Sequence, residues 1–364
     1  MKAHFQSQFV SLPISNIPTL KMSLKNPVLT PRQEVKGSPD GLLLPDAFLA
    51  DLNSFLLGQV EAFEPEIRSL AKYALENSGR RLRPILTYYA GVGEDHSYKE
   101  SQVLAASVIE MVHIATLVHD DILDKAEIRR RQPTVYHEHG PCVAVLLGDA
   151  LFAQALRLAA EYPTTVVCKE VAEATRAVCA GETRQVHLRG DINLEVGEYL
   201  HIIELKTAEL FRVSCLLGSL VVDEDNFSRS QAMASFGRHL GRAYQIFDDA
   251  ADFLGQEDKL GKTLGTDLAS RKLTLPALLL RDQMGVDALL QFLDKLTGSS
   301  EAVRGAVTAA MVQNNVFHEV EEYFLRELQA ASKGLERANL NKFANTALCQ
   351  LVSFLEGEFR RLIT

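Results

Sequence analysis

Six aspartates in two groups of three are the residues of this chain best suited to chemistry. Asp120, Asp121 and Asp124 stand in the run His-Asp-Asp-Ile-Leu-Asp, and Asp248, Asp249 and Asp252 in the run Asp-Asp-Ala-Ala-Asp. On a helix, positions four apart share a face, so the outer aspartates of each group point together while the middle one sits about 100° around the axis. Carboxylates that close repel unless a cation lies between them. Hard oxygen donors suit magnesium, which keeps several waters and completes its shell with substrate phosphate oxygens. Each group closes an apolar stretch, Val103 to Val118 for the first and Ala243 to Phe247 for the second. Burying six uncompensated carboxylates would be very costly. One such triad on a surface helix is an ordinary solvated acid patch; two in apolar settings predict a metal–diphosphate site.

Cations accompany the acids. Arg129, Arg130 and Arg131 follow the first triad, Lys259, Lys262, Arg271 and Lys272 follow the second, and Arg80, Arg81 and Arg83 lie upstream. Arginine forks match diphosphate oxygens in pairs, and lysine supplies point charge. Each basic group alone reads as a solvated face; their repeated placement beside the acids predicts anionic substrate binding.

The elements that must carry these residues read as helices. From about Leu43 onward, good helix formers dominate and proline is sparse. Ala47 to Lys72 carries apolar residues at three- and four-residue spacing, and Val103 to Leu123 is apolar on more than one face, which predicts a central buried helix. Further helical stretches are Val143–Leu158, Val166–Cys179, Glu198–Leu220, Ser228–Phe253 and the segments after Ser300, with breaks at Arg189–Gly197 and a charged, Gly-containing loop over Gly255–Arg271. No alternating strand pattern and no Gly-rich nucleotide-binding loop is present. The 364 residues read as one large helical domain over 41–364, preceded by a disordered extension over 1–40. Met1 to Arg32 contain no Asp or Glu, so an organelle transit peptide stays open against a cytoplasmic location. With 47% hydrophobic residues and a net charge of −9, the chain has the means for a large core and lacks a broad basic surface for nucleic acid. No apolar run reaches the roughly 18 residues of a membrane span. The five cysteines, Cys142, Cys168, Cys179, Cys215 and Cys349, show no metal-ligand spacing and read as small buried hydrophobes.

Taken in order, the motifs SGRRLRP at 78–84, EMVHIATLVHDDILDKAEIRRRQPT at 110–134, GDALFAQAL at 148–156, GETRQ at 181–185, KTAELF at 206–211, QIFDDAADF at 245–253 and GKTLGTDLASRKLTLP at 261–276 resemble those of the trans-isoprenyl diphosphate synthases, also called polyprenyl synthetases. The resemblance implies an all-α fold, a single large antiparallel bundle around a deep central cavity. It implies a homodimer and a Mg2+-dependent reaction joining isopentenyl diphosphate to an allylic diphosphate by ionisation, condensation and elimination. Asp120, Asp124 and Asp248 would hold the metal, with Asp121, Asp249 and Asp252 supporting them. Arg129, Lys206, Thr207, Gln245 and Lys262 would meet the allylic diphosphate, with Lys272 a further basic position. Arg80, Arg83, His113 and Arg130 would hold isopentenyl diphosphate. Outside the motif context, His113 reads as a core histidine, Thr207 as a hydroxyl bonded to its own helix, and Lys206 as a surface lysine.

Five positions depart from the family pattern: Arg80 stands for a usual Lys, Arg131 and Arg271 for a usual Gly, and Ala250-Ala251 for bulkier residues. In related enzymes a large aromatic just above the first triad blocks the growing tail. Here Ala115 is small, with Thr116 beside it and Val112 a turn earlier. The expectation is a product longer than farnesyl, first of the long quinone side-chain type and second geranylgeranyl. A class I terpene synthase would pair its DDxxD with an Asn/Ser/Glu-type motif, and a non-catalytic regulatory subunit would have lost aspartates; both triads here are intact.

Overall fold

Strong helix formers and scarce proline turn almost all of the described chain into helices. The computed structural model describes residues 45–77, 79–255, 264–265, 267 and 270–363, together with three two-residue strands before residue 45. The helices are α1 (Asp46–Gly58), α2 (Arg68–Glu76), α3 (Leu82–Gly91), α4 (Glu100–Leu123), α5 (Val135–Ala159), α6 (Val166–His187), α7 (Val196–Ile203), α8 (Glu209–Leu220), α9 (Phe227–Leu254), α10 (Leu275–Met284), α11 (Val286–Asp294), α12 (Ser300–Gln313), α13 (Val316–Ala338) and α14 (Lys342–Ile363). A five-residue π turn, Glu204–Ala208, joins α7 to α8 without a loop. Among the described residues, strand pairing is confined to two-residue ladders: Val28–Leu29 with Tyr98–Lys99, Lys36–Gly37 with Leu43–Leu44, and Ile128–Arg129 with Gln132–Pro133. The first two ladders reach into the stretch set apart as an extension; the rest of that stretch lies outside the described residues.

The expected all-α bundle is the observed one. Its centre is α4, whose residues from Ser101 to Val112 are all buried. Against it pack α5, α3 and α8, while α9 packs on α8 and α13. Bulky core residues such as Phe48, Tyr88, Phe211, Phe236 and Phe324 fill the space between these helices.

Three expectations need correction. The helix expected over 47–72 breaks after Gly58 into a short 3-10 turn, Gln59–Ala62, and restarts at Arg68. Pro65 lies in the gap, where it lacks a backbone donor and biases Glu64 away from the helical region. Two helices, α4 and α5, are in fact long and apolar enough to cross a membrane by length and composition. For α4 the reason is burial: 89% of its apolar window lies inside the fold, the mark of a core helix, against 44% for α5. Finally, only Cys215 is buried; Cys142, Cys179 and Cys349 are exposed.

Candidate active site

The first triad sits at the C-terminal end of α4, with Asp120 and Asp121 in its last turn and Asp124 as its C-cap. Helix carbonyls already make that end negative, so three carboxylates there require cations. Arg129 Nε donates to Asp121 Oδ1 at 2.8 Å. Lys206 Nζ lies 3.8 Å from Asp120 Oδ2 and pairs with Glu182 of α6. Lys272 Nζ donates to Asp124 Oδ2 at 2.9 Å, and Arg189 Nη2 reaches Asp124 Oδ1 at 3.3 Å. Burial pushes the Asp120 carboxyl up to about 6, with Lys206 pulling it down and Glu182 adding to the rise. At Asp124 burial acts in the same sense, but Lys272, Lys206 and Arg189 together hold the acid below its ordinary value.

The π turn carries the next two residues. Its extra residue per turn places Lys206 and Thr207 side by side with divergent reach, a device found often at functional sites. Lys206 goes to the first triad and also donates to Gln185 Oε1 at 2.9 Å. Thr207 Oγ1 donates to Gln245 Oε1 at 2.7 Å, and Gln245 Nε2 donates to Asp249 Oδ1 at 2.7 Å. Adjacent residues of one turn thus address both triads. Two glycines let neighbouring helices close on that backbone: a Cβ on Gly181 of α6 would lie 2.8 Å from Lys206 N, and one on Gly241 of α9 would lie 2.6 Å from Ala208 Cα.

The second triad lies near the end of α9. Asp249 and Asp252 are buried and Asp248 is half-buried. Tyr199 OH donates to Asp249 Oδ2 at 2.6 Å. Asp252 accepts from the backbone N–H groups of Gly265 (3.1 Å) and Asp267 (3.3 Å). The Asp267 carbonyl accepts from Lys272 N–H at 2.8 Å, and Lys272 is the residue that grips Asp124. A continuous path therefore runs from Asp252 to Asp124. Burial, then the charges of Asp249 and Asp252, push the Asp267 carboxyl well above its ordinary value.

Among the described residues no three His, Cys, Asp or Glu side chains form an all-protein metal cage. The donor set nevertheless fits a hard divalent cation. Asp120 and Asp124 are carboxylates on one face, open to solvent over 19% and 27% of their side chains, and the Lys206 and Lys272 ammonium groups already stand where positive charge is wanted. An ion that takes only one or two protein carboxylates and fills its shell from water and phosphate suits such a site.

The upstream basic run is split three ways by a left-handed residue, Arg81 (φ 52°), which caps the start of α3. Arg80 is exposed. Arg81 is buried on Glu110 Oε1 (3.1 Å) and on the Leu75 carbonyl (2.7 Å). Arg83 Nη1 meets His113 Nε2 at 3.0 Å, its guanidinium lies 4.8 Å over the Phe211 ring, and its Nε is buried with no hydrogen-bond partner among the described residues. Burial and then Arg83 drive the His113 imidazole well below its usual value, so it stays neutral. Arg129 and the pair Arg130-Arg131 form a tight hairpin whose two central residues both have positive φ, 52° and 62°, as a primed two-residue turn demands. Arg130 Nη1 donates to the Asn77 carbonyl at 2.8 Å.

Of the residues singled out from sequence, Asp120, Asp121, Asp124, Arg129, Lys206 and Lys272 converge, and Thr207, Gln245 and Asp249 join them through the π turn. Arg83 and His113 pair as a separate basic site, with Arg130 beside them in charge. Lys259 and Lys262 lie outside the described residues. Thr207 bonds Gln245 rather than its own helix, Lys206 is largely buried, and His113 is a partner of arginine rather than an isolated core histidine. Sequence reading missed Glu182, Gln185, Arg189, Tyr199 and Asp267 as neighbours of the aspartates. GETRQ and GTDLASRK were visible as motifs, but nothing local assigned their acids and amides to a partner.

The chain matches the family model described as polyprenyl synthetase over residues 64–311. The chain belongs to the polyprenyl synthetase family. As a member it is an enzyme of prenyl transfer. It is 32% identical over 249 residues to the octaprenyl diphosphate synthase of Haemophilus influenzae, covering 68% of this chain and 74% of that one. It is 35% identical over 235 residues to the chloroplastic solanesyl diphosphate synthase 1 of Arabidopsis thaliana, covering 63% and 58%. Among solved structures, the decaprenyl diphosphate synthase of Rhodobacter capsulatus superposes with a TM-score of 0.76 at 26% identity over 86% of this chain and 97% of that one. A polyprenyl synthase of Caulobacter crescentus, complexed with calcium and isoprenyl diphosphate, superposes with a TM-score of 0.72 at 28% identity over 85% and 94%.

Removing one supporting contact tests the site's packing. Tyr199→Phe leaves the buried Asp249 Oδ2 without its hydroxyl donor and should lower stability by about 1–3 kcal/mol, read as a shifted midpoint in urea denaturation.

Proposed function

We propose that this polyprenyl synthetase condenses isopentenyl diphosphate with an allylic diphosphate to give a trans-polyprenyl diphosphate longer than farnesyl, of quinone side-chain length before geranylgeranyl length. The observation that carries the reading is the double use of one turn: Lys206 serves Asp120 while its neighbour Thr207 is linked through Gln245 to Asp249. Such an arrangement supports one diphosphate held between two carboxylate groups.

Asp120, Asp124 and Asp248 are the residues that would hold magnesium, which neutralises developing charge on a leaving diphosphate. Arg129, Lys206 and Lys272 supply fixed positive charge on the same side, so the allylic C–O bond breaks toward them. Lys262, by resemblance, adds to that set. Arg83, with neutral His113 and Arg130, offers a second anion site for isopentenyl diphosphate; Arg80 stands at its rim. The double bond then attacks the allylic carbon, the new C–C bond forms, and a proton leaves the adjacent carbon to the released diphosphate. Apolar α4 residues line the path proposed for the tail. Ala115 and Val112 are buried, and Thr116 Oγ1 donates to the His113 carbonyl at 2.7 Å, which turns its polar atom onto the backbone.

Labelled isopentenyl diphosphate offered with several allylic primers should give a product ladder only when magnesium is present; no elongation on any primer would overturn the reading. Ala115→Phe, folded as judged by its melting temperature, should shorten the product by at least one five-carbon unit. An unchanged ladder would remove α4 from the tail path.

Magnesium affinity should also depend on pH. The metal-free protein holds a proton on Asp120 below about pH 6, so a cation must displace it there. Apparent affinity, read from thermal stabilisation by magnesium, should rise about tenfold per pH unit up to about 6 and flatten above. A flat profile from pH 5 to 8 would exclude Asp120 as the ligand.

A homodimer is part of the same proposal. The apolar helix α5 leaves Val145, Leu146 and Leu156 exposed, more open apolar surface than a core helix carries. Leu146→Glu should convert the dimer to monomer by light scattering, and a variant that remains dimeric would move the interface elsewhere.

A further inference from the structure

We propose that Arg189 is a further diphosphate-binding residue, one paired with Asp124 in this structure and passed to the allylic diphosphate when a divalent cation takes that carboxylate. The inference rests on reading the triads as a metal–diphosphate site. Among the described residues around the first triad, four carboxylates, those of Asp120, Asp121, Asp124 and Glu182, meet four cations, Arg129, Arg189, Lys206 and Lys272. Charge among these groups is balanced. A divalent cation on these aspartates leaves a positive excess, and the least firmly held cation is the one free to follow an incoming anion.

Arg189 is that cation. Lys272 already satisfies Asp124 at 2.9 Å, and Arg189 shares the same carboxylate through a longer hydrogen bond, 3.3 Å. Its Nε is buried and has no hydrogen-bond partner among the described residues, so part of its fork is unused. Arg129, in contrast, is tied at 2.8 Å to the buried Asp121. The Arg189 stem is fixed where the head is not. Gly190, with φ 81°, turns the chain and donates its N–H to the Arg271 carbonyl at 2.9 Å, next to Lys272. A guanidinium on an anchored loop, facing a metal-binding carboxylate, has the planar donors that a diphosphate accepts in pairs.

Calorimetric titration of the full chain with inorganic pyrophosphate in saturating magnesium tests this. Arg189→Gln should weaken pyrophosphate binding about tenfold or more, and should raise KM for the allylic diphosphate while leaving KM for isopentenyl diphosphate in place. Arg184→Gln, the same charge change five residues earlier on an exposed pair with Glu198, should bind pyrophosphate as the parent does. Should the Gln variant not fold, Arg189→Met keeps the stem packed and is expected to show the same loss. Pyrophosphate binding of parental strength in a folded Arg189 variant overturns the inference while the two-triad reading stands. Failure of the parent chain itself to bind pyrophosphate with magnesium overturns both.

Discussion

Like charge gathered at the end of a buried helix is the constraint around which this molecule is arranged. Carboxylates at the C-terminal turn of α4 oppose one another and the helix dipole, and the fold tolerates them because cations, four of them among the described residues, arrive from elsewhere in the sequence. Those cations come from the hairpin after α4, the loop after α6, the π turn and the segment before α10. Each must be delivered to within a few ångströms by its own backbone device. Among these are a primed turn at Arg130-Arg131 and a glycine turn at Gly190. At the π turn the device is close helix packing on Gly181 and Gly241. Much of the local geometry exists to hold unlike charges together.

The second triad adds donors of another kind. Asp249 and Asp252 accept from a tyrosine hydroxyl, a carboxamide and backbone N–H groups, neutral donors that fix a carboxylate's orientation without changing its charge.

Much of this was legible in the sequence. Helix type, the buried character of α4 and the pairing of Asp120 with Asp124 follow from periodicity alone, since spacing fixes the face of a helix. The break after Gly58 was not, because apolar spacing persisted through Pro65 while the backbone could not. Lys206 and Thr207 gained meaning only from motif context; no local rule says that a lysine and a threonine will sit on a π turn. Glu182, Arg189, Tyr199 and Asp267 become site neighbours only when α6, α7 and the residues Gly265, Asp267 and Lys272 are brought against α4 and α9, and such tertiary contacts leave no trace in a single sequence. At two departures from the family pattern the backbone shows why glycine is usual, and nothing in the structure explains the arginine. Arg131 and Arg271, where glycine is usual, both adopt left-handed backbone, at φ 62° and 56°. Side chains there carry a strain of about 1–2 kcal/mol each, which this protein bears at two points beside its cations.

The π turn has a consequence for how the protein can change. The turn takes up its surplus residue within itself, so deleting one residue of 204–208 would restore ordinary winding and leave α7 and α8 facing nearly as they do now. Lys206 and Thr207 would then part company, one leaving its aspartate or the other its glutamine. The local cost of an imperfect helix is therefore held in place by what these two side chains reach, Asp120 and Gln245, and not by the helices on either side.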